Sequence, residues 1–348
     1  MVTELSGWQA LALWSDVAAE KAAVWSEHYL AQAFHQAGGA AGSESGYMGV
    51  LASASLGRTS TAAYLMASVV NHWMVSPGEF HSLDEPDNLR QRSFLRNSAI
   101  LLAASRLGRV DVLSELALKR LFSYQHKCGG FFDMDPNQGH GLVEAFTTAW
   151  GGRVALRLAC YEQARRAAHL LADVIYMQPD PDGRFYFCYD TSNNAVATRW
   201  HVGEPQARYV DFRDTRGETH QVGMTLSLLA EMHLAEPAAG WEKPLLSCLQ
   251  MVGQWTPSLL DLPAMATVAE GLALAAWALG KSGGMALTLL AASVSRLTEV
   301  LSPSGAFLAW DSGVGADYSR AYSSAETIGW MAIGLASLSQ ALLNLGSY

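Results

Sequence analysis

The residues that could carry chemistry in this chain recur near the start of apolar, helix-forming segments. Four glutamates share this position: Glu144, Glu218, Glu270 and Glu326. If the apolar helices begin at one end of the fold, these carboxyl groups form a ring at that end of a cavity. A desolvated carboxyl group keeps its proton near neutral pH and can act as a general acid. Glutamate in a first helical turn is also favoured by the helix dipole and by capping, so both interpretations stay open.

The densest polar cluster of the chain leads directly into one of these apolar segments. It holds Arg213, Glu218, His220 and Gln221. A helix start that combines Glu, His and Gln is not explained by capping alone, so this cluster is our main candidate for an acid–base site. His220 or Glu326 would remove the final proton of a reaction. The alternative is an Arg–Asp–Glu network that only anchors a long loop.

Aromatic residues at turns and helix starts form a second candidate set, which would bind substrate together with Arg213 and Gln221. Its members are Phe131, Trp150, Tyr189, Trp200, Tyr322 and Trp330. Aromatic faces stabilise a carbocation, and they also stack on sugars, so the set fits two classes of substrate. For any one ring, a place in the core is the alternative.

A repeat identifies the elements that must position these residues. A glycine is followed two residues later by an aromatic ring and then by an aspartate, five times in all: Gly78, Gly129, Gly183, Gly253 and Gly305 begin the copies. Steps of 51, 54, 70 and 52 residues between these glycines suit a pair of helices with its connections. Asp135, in the second copy, is either an acid or a residue that satisfies turn N–H groups.

Between the turns, two kinds of helical segment alternate. Segments such as 111–125 are amphipathic, whereas segments such as 222–232 are apolar nearly all round. A helix without a polar face must be covered on every side, so the alternation predicts two concentric layers. Five marked units and one unmarked N-terminal unit predict an all-α fold: an (α/α)6 toroid with short strand-like turns at one rim, built as one domain over 1–348. The polar insertion 191–217 is predicted to form a lid.

One copy of the repeat carries a family resemblance. Its sequence over 125–131, Gln-His-Lys-Cys-Gly-Gly-Phe, resembles the Q-x-x-x-G-G-[FW] repeat of the squalene- and hopene-type cyclases and the prenyltransferase β-subunits. The resemblance implies an α/α toroid. Asp133-Met-Asp135-Pro is similar to the D-x-D-D acid motif of the cyclases but lacks its last aspartate. The Asp, Cys and His zinc ligands of the prenyltransferases have no counterpart that we can place.

Composition excludes several classes of protein. The net charge of −9 argues against nucleic acid as a partner. The sequence has no CxxC pair, nucleotide-binding loop or His-x-x-x-His, so we expect neither a metal nor a cofactor. The first residues do not read as a secretory signal, and polar residues interrupt the uncharged stretch after Glu326. We therefore expect a cytoplasmic protein without stable membrane insertion; shallow membrane contact and the oligomeric state are left open.

Taken together, these patterns predict a cofactor-independent cyclase or isomerase of natural-product biosynthesis. It would fold an apolar polyene, terpenoid or polyketide, in an enclosed aromatic-lined cavity, where a carboxylic acid starts the reaction and water is kept out. A carbohydrate-active toroid enzyme, namely a glycosidase, a lyase or a sugar epimerase, is the second interpretation. A non-catalytic scaffold that binds a lipid or a partner helix is the third.

Overall fold

The computed structural model describes residues 2–36, 47–81, 93–135, 141–199, 208–212, 218–254, 262–300 and 318–345. Helices hold 70% of this part of the chain and strands 8%, so the expected helical class is confirmed, with small sheets added. The α-helices within these ranges are α1 (Val2–Gln36), α2 (Tyr47–Ser55), α3 (Thr59–Trp73), α4 (Phe94–Arg106), α5 (Glu115–Phe122), α6 (Ala145–Arg157), α7 (Tyr161–Tyr176), α8 (His220–Ala235), α9 (Glu242–Val252), α10 (Leu262–Leu279), α11 (Gly284–Val300) and α12 (Tyr318–Leu345).

Burial alternates along this series as the sequence pattern predicts. The even-numbered helix α4 buries ten of its thirteen residues, whereas the odd-numbered α5 buries only Ala117 and Leu121. The same contrast separates α8, which is buried over most of its length, from α9, which keeps Glu242 and Lys243 in solvent. Among the described side chains, those of α4 and α8 are therefore mostly covered by protein, whereas α5 and α9 keep one face in solvent.

The even-numbered helices contact one another in a cyclic order. Helix α2 contacts α4, and the contacts continue through α6, α8 and α10 to α12, which itself contacts α2. The first helix α1 packs along α12 and also contacts α2. A hydrogen bond from Ser15 Oγ to the carbonyl oxygen of Leu335, at 2.7 Å, joins these two terminal helices.

Glycines allow two of the even-numbered helices to approach backbone to backbone. A Cβ on Gly271 of α10 would lie 2.5 Å from the carbonyl oxygen of Gly223 in α8, and a Cβ on Gly223 would lie 2.8 Å from the amide nitrogen of Val268. Any side chain at these positions would push the helices apart, so the glycines set their spacing.

The repeated glycine–aromatic turn anchors the helices to one another. Gly129 has a φ of +102°, which glycine adopts without strain, and a Cβ there would overlap the carbonyl oxygen of Arg166 on α7. The backbone N–H of Phe80 donates to Asn97 Oδ1 at 3.0 Å, and that of Phe131 donates to Thr148 Oγ1 at 3.2 Å. Asn97 and Thr148 are each the fourth residue of their helix, so the two units repeat the same contact.

Short antiparallel strands occupy the connections that lead into α4, α6 and α8. They are β1 (Met74–Ser76), β2 (Glu79–Phe80), β3 (Leu142–Glu144), β4 (Arg184–Tyr186), β5 (Cys188–Asp190), β6 (Ala195–Val196) and β7 (Tyr209–Asp211). The pairs are β1–β2 and β4–β7, and β5 lies between β3 and β6. The aromatic-rich sequences over 185–189 and 307–310 each predict a short strand. The first prediction is confirmed, because 185–189 contributes to β4 and β5, and the second segment lies outside the described residues.

The predicted lid, 191–217, is described only in part. Of its described residues, β6 pairs with β5 and β7 pairs with β4, so both belong to the small sheets. Residues 200–207 and 213–217 lie outside the description, and the lid stays a prediction.

Replacing Gly271 with alanine should lower the free energy of unfolding by about 1–3 kcal/mol, because the added methyl group overlaps the backbone of α8. Gly284→Ala is the matched control, since a Cβ at Gly284 meets no described atom within 4 Å. We expect that variant to stay within about 0.5 kcal/mol of the wild type. Urea denaturation of both variants measures the difference, and equal stabilities would contradict the close backbone contact of α8 and α10.

Candidate functional site

The start of α8 brings together several of the predicted site residues. Gln221 Nε2 donates to Glu218 Oε2 at 3.1 Å, and Gln221 Oε1 accepts from the backbone N–H of Phe146 at 2.7 Å. Glu144, whose side chain is exposed, ends β3 opposite Cys188 of β5. The pKa of the Cys188 thiol is raised to about 12, first by burial and then by the negative charges of Glu144 and Glu218, against the opposing effect of Arg208. Both carboxylates therefore belong to one end of the helices.

An aromatic cluster lies directly beside these polar groups. We define it as Phe146, Trp150, His220 and Trp330, from α6, α8 and α12. The Phe146 ring lies 5.0 Å from the imidazole of His220 and 5.1 Å from Trp330, and Trp150 lies 4.7 Å from Trp330, all edge to face. Trp150 Nε1 donates to Ser98 Oγ at 2.8 Å, so the indole N–H is satisfied in the core.

His220 is a neutral imidazole at physiological pH. Burial lowers its pKa to about 4, because a charged ring is disfavoured where water is scarce. A neutral imidazole can accept a proton, and the neighbouring Glu218 supplies a carboxyl group whose orientation Gln221 holds. The start of α8 thus combines acid–base groups with an aromatic surface, which suits proton transfer to and from an apolar molecule.

Glu270 does not belong to this group. Helix α10 begins at Leu262, with Pro263 in its first turn, where proline is favoured. Glu270 is therefore in the middle of the helix and buried. The expected position at a helix start is wrong for this residue, because the helix extends beyond the apolar segment that the sequence marks.

Glu270 instead belongs to a buried ion network around Arg153 of α6. Arg153 Nη2 contacts Glu270 Oε1 at 2.5 Å and Glu231 Oε1 at 2.8 Å, and Arg157 Nη2 contacts Glu231 Oε1 at 2.6 Å. Burial alone would raise the pKa of Glu231, but the two arginines lower it overall to about 2. Glu231 is therefore ionised. Sequence reasoning missed Arg153 and Glu231, although each is a charge inside an otherwise apolar helix, which is the available signal.

Three further predicted residues have structural positions. Asp135 Oδ2 accepts from Arg120 Nη2 at 2.8 Å, so its carboxylate ties the repeat turn to α5. Phe131 is fully buried and packs 5.0 Å from Phe94, which makes it a core residue rather than a ring open to substrate. Tyr189 is buried on β5.

The remaining predicted residues are not described at the level of side chains. Trp200 and Arg213 lie outside the described residues. Tyr322 and Glu326 belong to α12, but their side chains are outside the description.

In the described ranges, no group of three or more His, Cys, Asp or Glu side chains is arranged to hold a metal ion. Two described segments are long and apolar enough to cross a membrane by length and composition alone: Met265–Ser295 and Ile328–Leu345. The first spans α10, a 3-10 turn and α11, and the second is 61% buried inside the protein.

Comparison with models of known protein families gives no match, and comparison with curated proteins gives none either.

The low pKa of His220 predicts a pH-dependent stability. Between about pH 7 and pH 4, the unfolded chain binds a proton at His220 and the folded chain does not, so stability falls as the pH falls. The wild type should lose up to about 3 kcal/mol more than His220→Gln over this range. Urea denaturation at several pH values tests this, with the exposed His169→Gln as control. Parallel pH profiles for wild type and His220→Gln would rule out a lowered pKa of the His220 imidazole in the folded protein.

Arg153→Met should cost about 3–5 kcal/mol at pH 7, because Glu270 loses its cation and Glu231 loses one of two. Part of this loss should be recovered near pH 4.5, since carboxyl groups left buried without a cation take up protons there. Arg109→Met is the matched control: it removes the exposed ion pair with Asp111 and should cost less than about 1 kcal/mol. Chemical denaturation at both pH values gives the comparison, and similar losses in the two variants would contradict a buried network.

Proposed function

We propose that the cyclic series of even-numbered helices is the inner layer of an (α/α)6 toroid, and that the odd-numbered helices form its outer layer. The contact between α12 and α2, which returns the series to its beginning, supports closure. The contrast in burial between α4 and α5 supports the assignment of layers. A single domain over 1–348 follows from such a ring.

At the end where α6 and α8 begin, the toroid would act as a cofactor-independent cyclase or isomerase of an apolar polyene. The observation that carries this proposal is the neutral imidazole of His220 held against Phe146 in the aromatic cluster. Carbocation chemistry needs aromatic rings to stabilise the cation and a base to end the reaction. Few binding sites for polar ligands need a desolvated base among aromatic rings.

The proposed reaction is redox-neutral and leaves the formula of the substrate unchanged. A carboxylic acid among Glu144, Glu218 and Glu326 donates a proton to one carbon of a double bond. The resulting cation is attacked by a second double bond, which forms the ring. A carbon next to the new cationic centre then loses a proton to an imidazole nitrogen of His220, and a double bond forms there. The imidazolium releases its proton to solvent and the carboxylate takes one up from solvent, which restores both groups. The protein would supply the fold of the substrate and the exclusion of water.

The resemblance of the repeat turn to the isoprenoid toroids agrees with this proposal at the level of the fold. In this chain, Gln125 Nε2 donates to the carbonyl oxygens of Gly129 and Gln163, at 2.9 Å each. The motif therefore joins a turn to the next outer helix. Its chemistry would lie elsewhere, at the starts of the inner helices.

A carbohydrate-active enzyme is the second candidate, and one observation favours it. The carboxylates of Glu144 and Glu218 both act on the pKa of Cys188, so two acidic groups lie at the same end of the helices. Paired carboxyl groups are what glycosidases use as acid and base. The aromatic surroundings of His220 suit this second candidate less well.

The proposal includes a cytoplasmic location and a small apolar substrate, without nucleic acid as a partner. The net charge of −9 supports the last of these. The burial of much of Ile328–Leu345 inside the protein favours a core helix over a stable membrane span.

The test is conversion of linear polyenes in the presence of EDTA and without added cofactor. Wild-type protein is incubated with squalene, geranylgeraniol or a linear polyene carboxylic acid, and mass spectrometry looks for a product of unchanged mass and different retention. His220→Gln should reduce turnover about 100-fold or more, and His169→Gln should leave it unchanged.

Three results would contradict the proposal. Equal turnover by wild type and His220→Gln would remove the imidazole from the mechanism. Cleavage or epimerisation of sugars in a parallel panel, without polyene conversion, would favour the carbohydrate enzyme. Binding of polyenes without any product would favour the scaffold.

A further inference from the structure

The opposite ends of the even-numbered helices line a cavity that is partly open to solvent and that the proposed reaction does not use. Its volume is about 380 Å³, and residues from the C-terminal halves of all six even-numbered helices line it. Ser55, Arg106 and Arg157, the last residues of α2, α4 and α6, are among them. This volume is near the lower end of small-molecule sites, which span about 300–1,000 Å³.

The charged part of the lining is positive overall. It holds three arginines, Arg106, Arg153 and Arg157, against two glutamates, Glu231 and Glu270. Both glutamates are already engaged by Arg153, and Glu231 also by Arg157. The side chain of Arg157 is still 32% exposed, so its guanidinium keeps surface for another contact. We call this site the arginine cavity.

Within the described part of the chain, Arg106 is the arginine of this cavity whose side chain forms no hydrogen bond or ion pair. It lies close enough to Arg157, Arg153 and Glu231 for their charges to act on its pKa. It keeps solvent-accessible surface while lying in a concave wall. A guanidinium with all five N–H donors available is the group that best recognises planar or tetrahedral oxyanions.

A simpler reading is that Arg106 only balances the negative end of its helix. Arg106 and Arg157 both occupy a last helical turn, where a cation is favoured by about 0.3–1 kcal/mol. That interaction would raise the pKa of Arg106. The pKa is instead lowered to about 10, by burial first and then by the charges of Arg157 and Arg153. Arg157 and Arg153 thus place two like charges near the Arg106 guanidinium, and a negative group bound there would relieve their repulsion.

The other wall offers uncharged hydrogen-bonding groups. Ser337, Gln340 and Asn344 line the cavity from α12, and their spacing of three and four residues places them along one face of the helix. The Trp277 side chain also lines the cavity. Amide, hydroxyl and indole groups together suit a ligand whose uncharged part carries hydroxyl or other polar groups.

We propose that the arginine cavity is a binding site for a small organic anion. Arg106, with the free edge of Arg157, would bind a carboxylate or phosphate group, and the polar face of α12 would bind the rest of the molecule. The proposal is independent of the polyene reaction, because none of its residues belongs to the aromatic cluster or to the acid ring at the starts of α6 and α8.

The test uses three probes that share a six-membered sugar ring: glucose 6-phosphate, glucuronate and neutral glucose. Binding to the wild-type protein is measured by isothermal titration at constant ionic strength, since free salt screens such contacts. At least one anionic sugar should bind, and glucose should bind about tenfold more weakly or not at all. The anionic sugar that binds more tightly identifies whether the cavity prefers a phosphate or a carboxylate group.

Arg106→Gln should weaken the anionic probe about tenfold or more and leave the folded state intact, because Arg106 is outside the Arg153 network. Arg109→Gln, three residues along the chain on the exposed surface, is the matched control and should bind as the wild type does. The proposal is overturned if Arg106→Gln binds the probes with unchanged affinity. It is also overturned if neutral glucose binds as tightly as both anions, or if no anion binds at millimolar concentration.

Discussion

A helix whose surface is apolar all round is stable in water only if protein covers every side of it. The constraint applies to the mostly apolar even-numbered helices of this chain, of which α4 and α8 are buried over most of their length. Each one needs two neighbours of its own kind and an amphipathic helix outside. In the toroid that we propose, the cyclic order of contacts gives each even-numbered helix two such neighbours.

The same constraint makes every polar group inside the series expensive unless it is paired. Arg153 shows how the chain meets this cost. Burial alone would lower its pKa, but Glu231 and Glu270 raise it well above the usual range, so the guanidinium stays charged between α6, α8 and α10. Removing apolar surface from water brings the helices together, and the ion network joins Arg153 of α6 to Glu231 of α8 and Glu270 of α10.

The two ends of the helix series differ because their connections differ. The connections that follow the even-numbered helices are short, as between Ser55 and Thr59 or between Arg157 and Tyr161. Those that precede α6 and α8 are long and carry the small strands. In our proposal, proton transfer takes place at the end with long connections, where side chains from separate segments converge on His220. Anion binding takes place at the other end, where the arginines at the helix ends face the cavity. Long connections supply varied side chains, and function is commonly found on them.

The sequence by itself determined the helical class, the alternation of fully and partly covered helices, and the strands over 185–189. These follow from local periodicity and from turn residues, which act over a few positions. It also indicated Glu218, His220 and Gln221 as candidate site residues, because polar residues at the start of an apolar helix are visible in one short segment.

Tertiary structure decided the rest. Helix α10 starts well before the apolar stretch that marked it, which moved Glu270 from a helix start into the pairing with Arg153. The partners Glu231 and Glu270 lie far from Arg153 in sequence, so no local pattern links them. Long-range pairing and desolvation depend on the distances that folding creates, and only the folded chain contains them.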